Sequence, residues 1–555
     1  MSLKGLTKER KPLDFWNAVT IVSLIILCIF LVYPFSSLIF KSFLSKDTHK
    51  FTFRNYLDFF KYPYYYKTLG HSFAVCISAT FFATLLGLPM AYISARYNIW
   101  GKKIINVLIV LSLLSPPFIG AYSWVLLLGR NGFFTKIFES IGMNIPTIYG
   151  FKGIVLVFTL KFFPYMYLYV TGALNSMDAS LEEAAENLGV SGLRRAFTVT
   201  FPLIFPTISS AALIIFMTSL ADFGTPMLIG EGYKVLPVLA YEEFMSETGG
   251  NAIVASTLSV IIILCAVGVL LLQKLIVDKK NYQMSSLRPP KVKELKLGWR
   301  IFLTFICFFV SIVATLPQAV VIVTSFLKTR GPIFVKGFSF DSYKMVANRL
   351  SRTISNTFIF SSIAIVIMII SGLLLSYIIV RKKSKMSTFL DVLIMFPYVI
   401  PGAVLGISLL VSFNKKPIIL SGTAAIMIIS YVIRKIPYTI RSSTAILYQI
   451  DPSIEEASIN LGVPPMKTFF NTTAKLMAPG VFSGAILSWI TTINELSSSI
   501  ILYTGKTATI SVAIYTEVIR ASFGTASALA SILTLATVIS LIVFYHIPGT
   551  KGIEL

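Results

Sequence analysis

The sequence predicts an all-α polytopic membrane protein with about twelve transmembrane helices in two parallel six-helix repeats. Three observations lead there. The 555-residue chain is 55% hydrophobic and 13% charged, with a mean hydropathy of +0.79, too apolar for a soluble domain of that length. Apolar runs of about 18 residues or more, long enough to cross the hydrocarbon core as a helix, recur along it. The second half also repeats the first.

The N-terminal stretch MSLKGLTKERKPLDFWNAV has the basic start of a signal sequence. The apolar run that follows, Trp16 to Phe40, has no small-residue cleavage site and reads as an uncleaved first span. Further spans are expected near 68–95, 104–128, 152–175, 200–221 and 252–273. The second set falls near 301–326, 354–380, 388–412, 418–445, 474–493 and 526–546. Residues 1–277 form the first repeat, 278–299 a basic cytoplasmic linker and 300–555 the second repeat. The linker, DKKNYQMSSLRPPKVKELKLG, mixes charges, a Ser pair and Pro289-Pro290, as a solvated connector does. Pro116-Pro117 and Pro397 with Pro401 are expected to break the third and ninth spans, exposing backbone groups that protein or water must satisfy.

The repeats match in detail. HSFAVCISATFFATLLGLPMAYISAR from His71 pairs with NTFIFSSIAIVIMIISGLLLSYIIVR from Asn356 at an offset of 285, sharing Gly87/Gly372, Tyr92/Tyr377 and Arg96/Arg381. KFFPYMYLYVTGALNSMDASLEEAAENLG pairs with RKIPYTIRSSTAILYQIDPSIEEASINLG at an offset of 273. The loop GRNGFFTKIFESIGMNIPTIYG, shortened in the second half to Asn414 to Pro417, absorbs the difference of 12. An even number of spans per half makes the repeats parallel, with a pathway most naturally between them.

A net charge of +24 raises the question of nucleic acid. The Lys and Arg residues fall in short segments between apolar runs, such as Arg381 to Lys385, and form no long basic face to track phosphates. Their bias, from Arg96, Lys102 and Lys103 through Arg194, Arg195 and the basic run Lys274 to Arg300, places both chain termini in the cytoplasm. Lys41 to Lys67 on the opposite side makes that bias incomplete. The four Cys and three His show no metal-ligand spacing or disulfide framework. TGKTA at Thr504 lacks the glycine a phosphate loop needs at position 500, which is Ile500, and follows a spanning helix rather than a strand.

One polar element stands out in each half. In LEEAAENLGVSG, from Leu181, Glu, Ala and Leu favour helix and Gly189 ends it. Asp178 is the expected N-cap; Asp451, followed by Pro452, makes the same start before IEEASINLGVPP. The alternative for a single copy is an amphipathic helix lying on the membrane surface. Two copies at matched places, after the fourth span of each half, imply a duplicated partner.

Glu183-Ala184-Ala185, three residues, Gly189 and then Pro202 resemble the EAA loop of bacterial ABC importer permeases, which seats in a groove of the ATPase subunit. The second copy reads Glu456-Ala457-Ser458 and Gly462, with Ser458 for the second Ala and Lys475 in place of Pro202. The loops lie near 178–202 and 451–475. ADFGTPMLIGEGYKVLPVLAYEEF and NELSSSIILYTGKTATISVAIYTEV extend the likeness to fused permeases of the ferric-iron importer type. Permeases for thiamine, polyamines, 2-aminoethylphosphonate and sugar phosphates are similar. The resemblance implies a type I ABC importer (MetI-like) fold in the bacterial cytoplasmic membrane. It implies two cytoplasmic ATPase subunits that supply ATP and Mg, an extracytoplasmic solute-binding protein and no cofactor or bond chemistry in this chain. Glu182, Glu183, Ala184, Ala185 and Gly189, with Glu455, Glu456, Ala457, Ser458 and Gly462, would couple to the ATPases. The first loop is expected to bind in the more typical way. An ion-coupled secondary transporter is the different-class alternative.

Charges inside spans mark a candidate pathway. Lys161 sits mid-span and Arg434 with Lys435 at the equivalent place, each followed by a Pro. Intramembrane cations usually face a bundle interior or wet cavity; the alternative is that they snorkel to an interface. Across a pseudo-twofold axis Lys161 and Arg434 would approach each other and attract an anionic cargo or a ferric ion with its anion. Asp222 and Glu495, matched at the outer ends of the fifth and eleventh spans, would form a gate, hydrogen-bond a solute or simply solvate helix ends.

Overall fold

The computed structural model describes residues 15–277 and 292–546, except 47, 49, 114, 145, 191 and 247–250. The basic segment Lys4 to Lys11 and linker residues 278–291 lie outside the described residues. Among the described residues eight helices are long and apolar enough to cross a membrane, or eleven if each of three bent pairs is one span. The helix Ala424–Gln449 has span length at 26 residues but contains Arg434, Lys435 and Arg441. It lies at the place of the tenth predicted span, 418–445, but is not among the eleven, which stand against the expected twelve.

Proline sets the bends. Lys102–Leu113 meets Phe118–Ser140 at 101° around Pro116-Pro117, and Lys385–Tyr398 meets Gly402–Ser412 at 109° between Pro397 and Pro401. A proline has no N–H to donate and its ring clashes with the preceding turn, so helices break there. The fifth and eleventh spans both begin with a π-turn, Ala196–Thr200 and Phe469–Thr473, at the same offset of 273. They then diverge. The fifth bends by 68° between Ala196–Leu203 and Phe205–Ala221, whereas Pro465–Ile493 continues unbroken. Pro202 and Pro206 stand one turn apart in the fifth, so the carbonyl that the Pro206 ring crowds belongs to a second proline. Lys475 replaces the first of them in the eleventh, and Pro479 alone is accommodated inside the helix. The expected boundary near 474 therefore moves back to Pro465.

Within each half the second span packs on the fourth through a matched glycine. A Cβ on Gly87 would lie 2.7 Å from the Phe163 carbonyl oxygen and 2.8 Å from Met166 Cβ; on Gly372 it would lie 2.7 Å from Thr439 Cγ2. Small residues let backbones approach where lipid offers no hydrophobic drive. Gly87→Ala is expected to cost about 1–3 kcal/mol of stability through overpacking against backbone. Gly372→Ala, opposed by a side chain, should fall at the low end. Thermal unfolding of the two variants in detergent checks the order.

The halves exchange their first spans. In the helix Phe15–Ser42, the Trp16 ring lies 4.4 Å from Tyr377, tilted, and 4.8 Å from Phe469, edge-on, and Phe35 lies 5.5 Å from Phe396, all in the second half. In return Leu297–Ser325 packs on the first half: Arg300 sits 4.7 Å over Trp100, Gln318 donates to the Leu111 carbonyl at 2.6 Å and Ser123 donates to the Pro317 carbonyl at 2.7 Å. A two-stranded hairpin, Leu327–Arg330 with Ile333–Phe338, follows the seventh span. No strand pattern in the sequence announced it.

Candidate functional site

The two polar segments fold into the same knob. Ala179–Asn187 is capped by Asp178, whose carboxylate accepts from the Ser180 N–H at 2.8 Å; Asp451 accepts from the Ser453 N–H at 2.8 Å ahead of Ser453–Asn460. That hydrogen bond holds the Asp451 carboxyl below its ordinary pKa. In the second copy Pro452 occupies the cap position and Asp451 lies one residue outside it, a small shift from expectation. Both helices end on glycine in the left-handed region, φ +81° at Gly189 and +85° at Gly462. The next N–H reaches back into the helix, Val190 to the Ala185 carbonyl at 2.9 Å and Val463 to the Ser458 carbonyl at 3.2 Å.

The paired glutamates split in role. Glu183 and Glu456 are exposed, as are Ala184 and Ala457. Glu182 and Glu455 are buried and turn inward, Ala185 is buried and Ser458 is half-buried. The expectation of direct partner contact is corrected for Glu182 and Glu455, because each is the anchor of its knob. Arg96 Nε donates to Glu182 Oε1 at 3.0 Å while Nη1 donates to the Leu174 carbonyl at 3.1 Å; Thr200 adds a hydrogen bond at 3.2 Å. In the second half Arg381 Nε donates to Glu455 Oε1 at 3.1 Å, its Nη2 to the Ile450 carbonyl at 2.6 Å, and the Tyr377 hydroxyl to Glu455 Oε2 at 3.0 Å. The closing arginine of the second and eighth spans thus holds each knob to its bundle. Among the described residues of the inter-repeat segment, contacts run to the first knob and its neighbouring span end. Lys293 pairs with Glu186 at 3.1 Å and exchanges backbone hydrogen bonds with Arg96 and Asn98. The hydrogen bond from Lys293 is the main reason the Glu186 carboxyl titrates below its usual range.

Sequence reasoning missed the most exposed apolar residues of the knobs. Leu188 is 83% exposed and Leu461 86%. The offset of 273 relates them, and a leucine kept on the outside of two polar turns was the available signal.

The intramembrane charges are brought together, though not as two free cations. Lys161 Nζ meets Asp222 Oδ2 at 2.7 Å, with side chains 11% and 4% exposed. Glu495 receives Arg434 on one oxygen and Lys435 on the other, the latter at 3.0 Å. Each cation is therefore matched by the carboxylate of its own half. Asp222 also accepts from the Thr225 N–H at 2.9 Å and Glu495 from the Ser498 N–H at 3.2 Å, so both are fixed beyond the ion pair.

From these pairs an exposed stripe runs toward the knobs. In Phe151–Asn175, Phe162 to Pro164, Met166, Tyr167 and Val170 are buried, but Lys161, Tyr165, Tyr169 and Gly172 are not. In Ala424–Gln449 the unburied residues at the matching places are Arg434, Tyr438, Ser442 and Ala445, of which Ser442 is turned to the eleventh span and donates to the Gly480 carbonyl at 2.7 Å. Steps of four, four and three keep each set on one helix face. Tyr165 and Tyr438 hold matching places in the two stripes, related by the offset of 273. Past the ion pairs the space closes: a Cβ on Gly224 would lie 3.2 Å from Leu496 Cδ2 and 3.3 Å from Phe118 Cδ2, both buried side chains. The ion pairs thus lie beside a tight contact, and the matched stripes on their knob side mark a candidate cleft between the halves. Among the described residues no cluster of three or more His, Cys, Asp or Glu is placed to hold a metal ion.

The repeat geometry has a counterpart in known proteins. Residues 83–281 and 372–550 each match the family described as binding-protein-dependent transport system inner membrane component. The chain belongs to that family. It is similar to the ferric transport system permease protein FbpB of Actinobacillus pleuropneumoniae, 27% identical over 539 residues, 96% of this chain and 78% of that one. It is also similar to the putative ferric transport system permease protein FbpB 1 of Haemophilus influenzae, 27% identical over 87% of this chain and 77% of the relative. A solved chain of the MetNI methionine ABC transporter aligns with 39% of this permease and 95% of its own length, at 20% identity and a TM-score of 0.31. The two matched regions each contain one knob and one half of the cleft, so the family pattern and the internal repeat describe the same duplication.

Proposed function

We propose that this permease is the membrane subunit of an ATP-driven importer that takes ferric iron from an extracytoplasmic binding protein and releases it to the cytoplasm by alternating access. The observation that carries the coupling half of this reading is the matched pair of knobs, each presenting an exposed Leu and Glu and each tied by a buried Arg–Glu pair to the second or eighth span. Two ATPase subunits, holding ATP and Mg, would grip one knob each; this chain would contribute no cofactor and no bond chemistry. The ferric relatives support the cargo.

In this reading the knobs and both termini lie in the cytoplasm and the structure is inward-open. Closure of the ATPases would draw the knobs together, and rigid anchoring through Arg96 and Arg381 would pass that motion to the spans beside the cleft. The cleft would then close on the knob side as the contact of Gly224 with Leu496 and Phe118 parts, admitting solute from the binding protein. Glu182 and Glu455 transmit the motion from inside the bundle, whereas Glu183, Glu456 and the exposed leucines make the contact.

The double substitution Glu183→Ala with Glu456→Ala should abolish co-purification of the ATPase and ATP-dependent ferric uptake into proteoliposomes, leaving the fold intact. Unchanged assembly and unchanged uptake would overturn the coupling. Uptake driven by an ion gradient without any ATPase would point to a secondary transporter. Uptake of thiamine, a polyamine, 2-aminoethylphosphonate or a sugar phosphate in place of iron would keep the architecture and replace the cargo.

A further inference from the structure

A second repeated element stands at the end of the molecule away from the knobs. SFL from Ser42 closes the first span and SFL from Ser325 the seventh, an offset of 283; FTFRNY from Phe51 then matches FSFDSY from Phe338 at an offset of 287. The same bonds shape both copies. Thr52 donates its N–H to the Phe43 carbonyl at 2.7 Å, and Ser339 donates its N–H to the Phe326 carbonyl at 2.8 Å. Ser42 donates its hydroxyl to the Ile39 carbonyl, which leaves the Tyr56 hydroxyl to donate to Ser42 at 2.6 Å; Ser325 donates to Ile322 and receives Tyr343 at 2.9 Å. Each tyrosine thereby pins a short helix, Arg54–Lys61 or Asp341–Arg349, to the end of a span. The spans that follow, Pro63–Arg96 and Ser351–Arg381, run about 45–50 Å at 1.5 Å per residue before ending on the arginines that hold the knobs.

These pinned elements turn aromatic rings outward. Phe51 and Phe53 are each 62% exposed, and their equivalents Phe338 and Phe340 are 84% and 65% exposed. Phe53, Leu57 and Lys61 follow in steps of four on one face of the first helix, and Phe340 and Lys344 begin the same face of the second. We propose that the two elements are interfacial anchors, with Phe51, Phe53 and Leu57 and, in the second copy, Phe338 and Phe340 resting in the headgroup layer of the bilayer and the surrounding cations lying against lipid phosphates. The exposed rings continue the apolar surface that the preceding spans turn outward, at Ile39 and Phe40 before the first copy and Ile322 and Val323 before the second. Tyr62, Tyr64 and Tyr66, exposed where the second span begins, extend the belt. Aromatic side chains beside cations suit the layer where hydrocarbon meets phosphate. Residues 41–67 hold five lysines and one arginine against two aspartates, and residues 328–352 three lysines and three arginines against one. Protein interfaces, in contrast, are depleted in lysine. Contact with phosphates also accounts for the basic residues between the first and second spans, which run against the charge bias of the other loops.

Photolabelling tests the anchors on the unaltered full-length chain, in vesicles of phosphatidylethanolamine and phosphatidylglycerol doped with a phospholipid that carries a diazirine on its headgroup. After illumination, mass spectrometry should find lipid adducts severalfold denser on residues 51–61 and 338–349 than on the knob helices Ala179–Asn187 and Ser453–Asn460. Phe53→Ser with Phe340→Ser should lower the adducts on both stretches severalfold while the melting temperature holds. Adducts no denser on these stretches than on the knobs overturn the anchors, and so do adducts undiminished in the double variant. Stretches that stay unlabelled by lipid but cross-link to an added solute-binding protein belong to that partner, which also overturns the lipid contact.

Discussion

Replacing Arg96 with methionine should release the first knob from its bundle and lower stability by about 3–5 kcal/mol, the usual penalty for stripping one partner from a buried ion pair. The Arg96 side chain is 3% exposed and that of Glu182 9%, so neither charge has water to fall back on. Without Arg96, Glu182 keeps only the Thr200 hydroxyl at 3.2 Å and a distant Arg195 at 3.9 Å, and the Leu174 carbonyl loses its donor. The matching Arg381→Met should cost less. Glu455 retains the Tyr377 hydroxyl there, and its arginine is already 14% exposed. Adding Glu182→Gln to Arg96→Met should recover part of the loss, because the stranded carboxylate and not the missing attraction carries most of the cost. Melting temperatures of the three variants in detergent check the argument; an Arg96→Met chain that melts like its parent would remove the anchoring role of the pair.

The second large effect is expected at Glu495. Glu495→Gln preserves shape but leaves Arg434 and Lys435 side by side with no counter-charge, both nearly enclosed at 16% and 10% exposure. About 3–5 kcal/mol is again the scale. Asp222→Asn strands a single lysine, a residue that sheds its proton more readily than arginine when buried. It should therefore cost less than Glu495→Gln. Introducing Lys435→Met into Glu495→Gln removes the surplus cation and should raise the melting point again. If Glu495→Gln and Asp222→Asn melt together with the parent, the charge cluster contributes nothing to stability.

Much of this was legible from residues alone, for identifiable reasons. The knobs could be placed because helix formers, an aspartate start and a terminal glycine act locally, and because the same order recurs at an offset of 273. The proline breaks in the third and ninth spans were legible on the same ground, since a missing N–H is a property of one residue. The charged residues were found, and spacing matched Lys161 to Arg434 and Asp222 to Glu495. That each cation closes on the carboxylate of its own half was not legible from spacing.

What the sequence by itself determined is the set of elements: the apolar runs, their duplication, the two polar knobs and the places where the backbone must bend. Each rests on local chemistry or on self-similarity along the chain. Only the tertiary structure decided that the first and seventh spans change halves, that Glu182 and Glu455 point inward to arginines, and that each intramembrane cation pairs with a carboxylate of its own half. The physical reason is the solvent. In lipid a helix face turned to its neighbours is no more apolar than one turned outward, so hydropathy finds a span without saying what it packs against. A polar side chain within a span is then explained by a partner far away in sequence, as Arg96 explains Glu182 across 86 residues.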